Sequence, residues 1–282
     1  MRELNFNGLS PILYIVATPI GNLSEMTPRA LDIIRGVDYV ACEDTRVSSK
    51  LLMHFGIQKP IVSCREHNEL TGAIRIVNDL KAGIKVAYLS DAGYPAISDP
   101  GSRLIKEALK NGIKVSVISG ANALLNALVG SGLDTDRFYF HGFLSPKEKA
   151  RIDELRGLVK RRETLVFYEA PHRILKTLSD MLKIFGNRRA CIARELTKKH
   201  EEFIRMNLAE LSVLEKDTLK GEMVLIVEGS DDEVEANVND DEIRKMISNF
   251  IDLGMTPKDA IKHVSDMLKI AKNRVYKIYH QN

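Results

Sequence analysis

The chain has 282 residues, 44% of them hydrophobic, with 41 Lys and Arg against 38 Asp and Glu, three cysteines and no tryptophan. That length suggests two domains, and that composition excludes a disordered chain. With no run of about 18 apolar residues, no leader-like N-terminus, and Cys42, Cys64 and Cys191 far apart, a soluble cytoplasmic protein without a membrane span, disulfide framework or metal is expected.

The first apolar run, Ile12 to Ala17, reads as a strand entering Thr18-Pro19-Ile20-Gly21-Asn22-Leu23. This turn lacks the G-x-G-x-x-G and G-x-x-x-x-G-K-[ST] patterns, which excludes the two commonest nucleotide loops and still leaves a strand end suited to a ligand. Thr27-Pro28 places a capping residue before a helix-opening proline, so a helix over 28–35 is expected. Tyr39 to Cys42 reads as a second strand. Behind it stands Cys42-Glu43-Asp44-Thr45-Arg46, whose charged side chains at a carboxyl end face a crevice, with helix capping by Asp44 or Thr45 equally in keeping.

Strands follow at Ile61 to Ser63, Val86 to Leu89 and Val115 to Ile118, with helices over 73–81 and 102–109. Strand–helix alternation of this kind implies a mostly parallel sheet covered on both faces. The loop Ser90 to Gly101 carries two glycines, two prolines and two aspartates, and suits gripping a small molecule through backbone groups.

The pattern changes near residues 133–137. A charged amphipathic helix is expected over 147–162 and a helix over 174–184. Strands are expected at Thr164 to Tyr168, Ala190 to Arg194, Glu202 to Met206 and Met223 to Val227. Two strand ends carry dense charge, Tyr168-Glu169-Ala170-Pro171-His172-Arg173 and Arg194-Glu195-Leu196-Thr197-Lys198-Lys199-His200-Glu201, where Arg and Lys are suited to phosphates. An acidic linker over 231–242 then leads to a helical module over 243–282, which fits a helix-turn-helix or a plain packing module. The expected domains are 1–134, with the cofactor and catalytic loops, and 135–230, with the other cleft wall and a basic surface.

Charge is partitioned along the chain. Residues 145–206 hold 16 Lys and Arg against 9 Asp and Glu, residues 207–242 hold 2 against 12, and residues 243–282 hold 8 against 3. The two basic segments point to a polyanionic partner.

Several motifs occur together in one order over roughly residues 11–229. They are Thr18 to Leu23 with Thr27-Pro28-Arg29-Ala30-Leu31, Cys42 to Arg46, Glu66-His67-Asn68-Glu69, Ser90 to Gly101, Tyr168 to Arg173, Arg194 to Glu201 and Gly221-Glu222. In this combination the chain resembles the small-subunit ribosomal RNA methyltransferases of the tetrapyrrole-methylase-like superfamily. The resemblance implies an α/β class III methyltransferase with two α/β domains, a small C-terminal helical module and S-adenosylmethionine in the interdomain cleft. It also implies a homodimer, and 2′-O-methylation of a cytidine ribose in the decoding region of 16S ribosomal RNA in the 30S subunit. One departure stands out. Where the family commonly has Pro-Gly, this chain has Ser119-Gly120-Ala121.

On this resemblance Pro19, Gly21, Asn22, Asp91, Gly93, Ala96, Ile97 and Ala121 hold the cofactor from one side, and Tyr168, Glu169 and Met223 from the other. The catalytic neighbourhood is Glu43, Asp44, Arg46 and Lys198. RNA contacts are expected at Arg173, Arg194, Lys198 and Lys199, and on the C-terminal helices. Alignment of the reactants can contribute roughly 7–11 kcal/mol and a positioned base about 10²- to 10⁴-fold, so positioning is the larger effect. The base is open among Glu43, Asp44, Glu169, His172 and Lys198. A tetrapyrrole methylase of the same fold and a ligand-sensing DNA-binding regulator are the alternatives.

Overall fold

A computed structural model describes residues 11–65, 69–215, 219–231, 239–268, 270 and 272–280. Glu66, His67 and Asn68 of the fourth motif and residues 232–238 of the acidic stretch lie outside the described residues. The chain divides into two compact units, residues 1–157 with 163–228, and residues 158–162 with 229–282.

In the larger unit the elements run β1 (Ile12–Val16), α1 (Pro28–Gly36), β2 (Tyr39–Cys42), α2 (Thr45–His54), β3 (Ile61–Ser63), α3 (Glu69–Lys81), β4 (Val86–Leu89), α4 (Ser102–Lys110), β5 (Lys114–Ile118) and α5 (Ala123–Ser131). They continue through β6 (Phe138–Phe143), α6 (Glu148–Leu158), β7 (Thr164–Glu169), α7 (Ile174–Phe185), β8 (Arg189–Arg194), β9 (Glu202–Asn207), α8 (Leu208–Leu211) and β10 (Met223–Val227).

The first sheet is parallel throughout, in the order β3-β2-β4-β1-β5. Its central strand β4 is buried at every residue, as a strand covered on both faces must be. Leu13, Ile15 and Tyr88 pack with α3 and α4 through Ile76, Leu80 and Leu104. Val16, Val40 and Leu89 pack with α1 and α2 through Ala30, Ile34 and Leu52.

The second sheet, β6-β7-β10-β8-β9, is mixed. Only β6 and β7 run parallel, and the remaining pairs are antiparallel. Its middle strand β10 is wholly buried. Helix α5, which follows the first sheet in sequence, packs on the second through Leu124, Ala127 and Leu128 against Val166, Cys191 and Ile226. A buried pair ties α6 to α7: Arg151 donates from Nε and Nη2 to Asp180 Oδ2 at 2.9 and 2.7 Å.

Register brings the loops together. Val16 lies opposite both Leu89 and Ile118, so the chain leaves β1, β4 and β5 at one level. Met223 lies opposite both Glu169 and Arg194, so the segments after β7 and β8 and the one before β10 share an edge.

The smaller unit holds α9 (Asp240–Asp252), α10 (Pro257–Leu268) and α11 (Lys272–His280). Ile243, Ile247, Ile261, Val264, Val275 and Ile278 form its core. Two sequence expectations need correction. The helix expected over 147–162 ends at Leu158, and Ser230 N–H donates to the carbonyl of Arg161 at 2.6 Å beyond it. The acidic linker also stops short of 242. Asp240, Asp241 and Glu242 form the first turn of α9, capped by Asn239, where their charges complement the helix dipole. No described helix is long and apolar enough to cross a membrane.

Candidate active site

The loops after β1 and β4 are tied backbone to backbone. Thr18 N–H donates to the Gly93 carbonyl at 2.9 Å and Gly93 N–H to the Thr18 carbonyl at 3.0 Å. The buried Ser90 hydroxyl donates to the same Gly93 carbonyl at 2.6 Å. Gly93 has φ +72°, and a Cβ there would lie 3.4 Å from Ile20 Cγ2. The loop after β5 joins them, since Gly120 N–H donates to the Tyr94 phenol at 3.2 Å. That anchor holds the segment that Ser119 opens.

These loops face the second sheet across a cavity of about 320 Å³, within the usual range for a small-molecule site. Gly93, Ile97, Tyr168, Glu169 and Met223, all expected from the sequence, line it. Ile20, Ala92 and Asn122 line it beside the expected residues Gly21, Asp91 and Ala121, which are not among its walls. Pro19 is buried behind the wall. Asn22 caps the 3₁₀ turn Leu23–Glu25 by accepting from Ser24 N–H. Ala96, at φ +68°, donates its N–H to the Pro100 carbonyl and shapes the loop from within.

Asp99 and Leu196 line the cavity although sequence reasoning did not single them out. Burial pushes the Asp99 carboxyl up to about 6, helped by the charges of Glu43 and Asp91. Tyr168, which stacks edge-on against Phe140 at 5.0 Å, has its phenol pushed up by burial and by Asp99. Burial likewise raises Asp91, whose Oδ1 accepts from Asp44 N–H at 3.2 Å. Asp99 thus stands in the lining with Glu169 and Glu222, and the charges of Glu43 and Asp91 act on it from nearby.

Other expected residues are committed within the fold. Asp44 caps α2, accepting from Arg46 N–H at 2.8 Å, and the Arg46 guanidinium grips the same carboxylate and holds it well below the usual range. The buried Glu169 carboxyl accepts from Arg173 Nε at 2.7 Å, Ala170 N–H at 2.8 Å and Thr177 Oγ1 at 2.6 Å. Arg173, expected at RNA, is thus neutralised in the interior and also donates to the Leu144 carbonyl. Arg194 pairs with Glu202 across β8 and β9. His172 and Lys199 are exposed.

Lys198 bridges two carboxylates, with Nζ 3.0 Å from Glu195 Oε1 and 3.0 Å from Glu222 Oε2. Burial works against its charge, yet the hydrogen bonds to Glu222 and Glu195 outweigh this and hold the ammonium above its ordinary value. Its alkyl chain packs on Gly21, where a Cβ would lie 2.5 Å from Lys198 Cγ. Gly21 therefore allows the loop after β1 to approach the segment after β8.

Comparison with known proteins agrees with this architecture. Residues 12–212 match the family model of the tetrapyrrole (corrin/porphyrin) methylases. The chain is 43% identical to ribosomal RNA small subunit methyltransferase I of Bacillus subtilis (strain 168), over 99% of this chain and 98% of that one. It is 46% identical to the protein of the same name from Halalkalibacterium halodurans, over 95% and 94%. Among solved structures, uroporphyrin-III-C-methyltransferase from Thermus thermophilus superposes with a TM-score of 0.56 at 18% identity, covering 77% of this chain and 94% of that one.

Proposed function

Because this chain belongs to the tetrapyrrole (corrin/porphyrin) methylases, and within them to the ribosomal RNA small subunit methyltransferase I family, we propose that it methylates the ribose 2′-hydroxyl of a cytidine in the decoding region of 16S ribosomal RNA. The observation that carries this reading is 43% identity over 99% of the chain, which extends past the family-model match ending at residue 212 and takes in the C-terminal helices. The substrate is 16S ribosomal RNA, naked or assembled in the 30S subunit, and the protein works as a homodimer in the cytoplasm.

The methyl donor of the family is S-adenosylmethionine, which supplies an electrophilic methyl group on a positively charged sulfur. The cavity residues fit such a molecule. Leu196, Met223, Val224 and the Tyr168 ring offer an apolar wall for a nucleoside, and the bare Gly93 leaves room for close backbone approach. Asp99 in the lining, with the charges of Glu43 and Asp91 acting on it from nearby, complements a sulfonium charge.

For the proton of the reacting hydroxyl, the geometry separates the candidates, and His172 is exposed. Asp44 is held by Arg46, Glu169 by Arg173 and Thr177, and Lys198 is a held cation. Asp99 lines the cavity itself, and the Glu43 charge is near enough to act on its carboxyl. We assign Asp99 as the acceptor, its carboxyl pushed up by burial, with the charges of Glu43 and Asp91 adding to the effect. Residues 1–134 supply the cofactor and catalytic loops. Residues 135–230 supply the facing wall and a basic surface to which Lys199 contributes.

The test is transfer of labelled methyl groups to 30S subunits or to a tetrapyrrole precursor. Label on the ribosomal RNA supports the reading. Label on the tetrapyrrole alone favours a small-molecule methylase, and label on neither favours a ligand-sensing regulator.

A further inference from the structure

The C-terminal unit carries a surface that the transfer chemistry does not use. On α11, Lys272, Asn273, Tyr276, Lys277 and His280 are exposed, while Val275 and Ile278 are buried in the unit's core. Positions 272, 276 and 280 recur every four residues and 273 and 277 lie beside them, so all five share one helix face. Tyr276 is 54% exposed, and its ring rests on that of His280 with centroids 4.3 Å apart. No acidic residue occurs between Lys272 and His280. The remaining cation of α11, Arg274, is turned inward to Asp240 at 3.8 Å.

A ring half open to water and flanked by two lysines matches the chemistry of a nucleic-acid strand. Aromatic faces stack on bases, and ammonium groups neutralise the phosphates on either side. The spacing of α10 and α11 fits a helix-turn-helix, in which the second helix enters the major groove of DNA. Double-stranded RNA closes that route, because its major groove is too deep and narrow for side chains to read. Unpaired RNA offers bases that can be splayed onto a ring. Resting on the ribosomal RNA reading above, we propose that the α11 face is a docking site for unpaired RNA of the substrate, with a base stacked on Tyr276 and phosphates held by Lys272 and Lys277.

The test uses the full-length protein and a short unstructured oligocytidine RNA, followed by fluorescence anisotropy across a salt series. Tyr276→Ala is expected to weaken binding about 5- to 100-fold and Tyr276→Phe to preserve it. The double variant Lys272→Ala/Lys277→Ala is expected to reduce the log–log salt slope by about 1.4. Wild-type affinity and slope in these variants overturn the proposal. So does preference for duplex DNA over the single strand, or a Tyr276→Ala effect confined to the oligomeric state in sedimentation. The two readings fail separately. Methyl transfer to 30S subunits that survives with unchanged KM and RNA affinity in Tyr276→Ala contradicts this docking site alone. Tyr276-dependent RNA binding without any transfer supports the docking site and contradicts the assigned reaction.

Discussion

Thr18 and Gly93 exchange both of their backbone hydrogen bonds, at 2.9 and 3.0 Å, and so bind the loop after β1 to the loop after β4. Two long loops that would otherwise move independently become one wall. Such a wall can hold a ligand in alignment without ordering itself at the moment of binding.

Gly93→Ala tests that wall. At φ +72° a side chain is strained by about 1–3 kcal/mol, and the new Cβ would crowd Ile20 at 3.4 Å. Calorimetry should show S-adenosylmethionine affinity reduced by tenfold or more. Unchanged affinity would mean that the Thr18–Gly93 bridge does not shape the binding site.

The contact between Gly21 and Lys198 predicts a rescue. Gly21→Ala places a Cβ 2.5 Å from Lys198 Cγ and should lower both thermal stability and cofactor affinity. Adding Lys198→Ala removes the colliding atom, so the double variant should recover much of the loss. Additive losses in the double-mutant cycle would show that the two residues act independently.

Asp99 carries a pH signature. Its carboxyl binds a proton up to about 6 in the folded protein, well above its ordinary 3.8. The folded state therefore holds more protons than the unfolded chain between these values, and stability falls as pH rises from about 4 to about 6. Asp99→Asn should raise the melting temperature at pH 7.5 and leave it unchanged at pH 3. Wild-type kcat/KM should rise with pH near 6 as the carboxyl ionises, and the same variant should remove that rise. A wild-type limb retained in Asp99→Asn would move the proton acceptor to Glu43.

The Arg151–Asp180 pair is a matter of stability. Both side chains are almost wholly buried, so Asp180→Ala strands a guanidinium in the interior and should cost about 3–5 kcal/mol in urea unfolding. Exposed Lys199→Ala should leave stability and cofactor affinity unaltered, and lower affinity for ribosomal RNA.

Much of the framework was legible in the chain itself. Short buried runs such as Val86 to Leu89 and Met223 to Val227 can only be strands, and Thr27-Pro28 marks a helix start from local chemistry alone. What stayed hidden depends on partners distant in sequence. Asp99 looks like any turn aspartate until the segment bearing Tyr168 lies beside it. Arg173 gives no sign in the sequence of the buried Glu169 it pairs with, nor Asp44, a candidate base, of the Arg46 guanidinium that folds back on it. The capping reading of Asp44 agrees with helix α2, whose extent the charged motif that opens it does not reveal. The mixed pairing of the second sheet also lies beyond hydrophobic periodicity, which reports burial and not strand direction.

The most direct measurement is the chemical identity of the methylated nucleoside. Purified 30S subunits lacking the modification would be incubated with the protein and labelled S-adenosylmethionine, and the RNA then digested to nucleosides and resolved by mass spectrometry. Label is expected in 2′-O-methylcytidine from the decoding region, formed more slowly by Asp99→Asn and by Gly93→Ala. Label on a base, on another nucleoside, or nowhere in the RNA would contradict the assigned reaction.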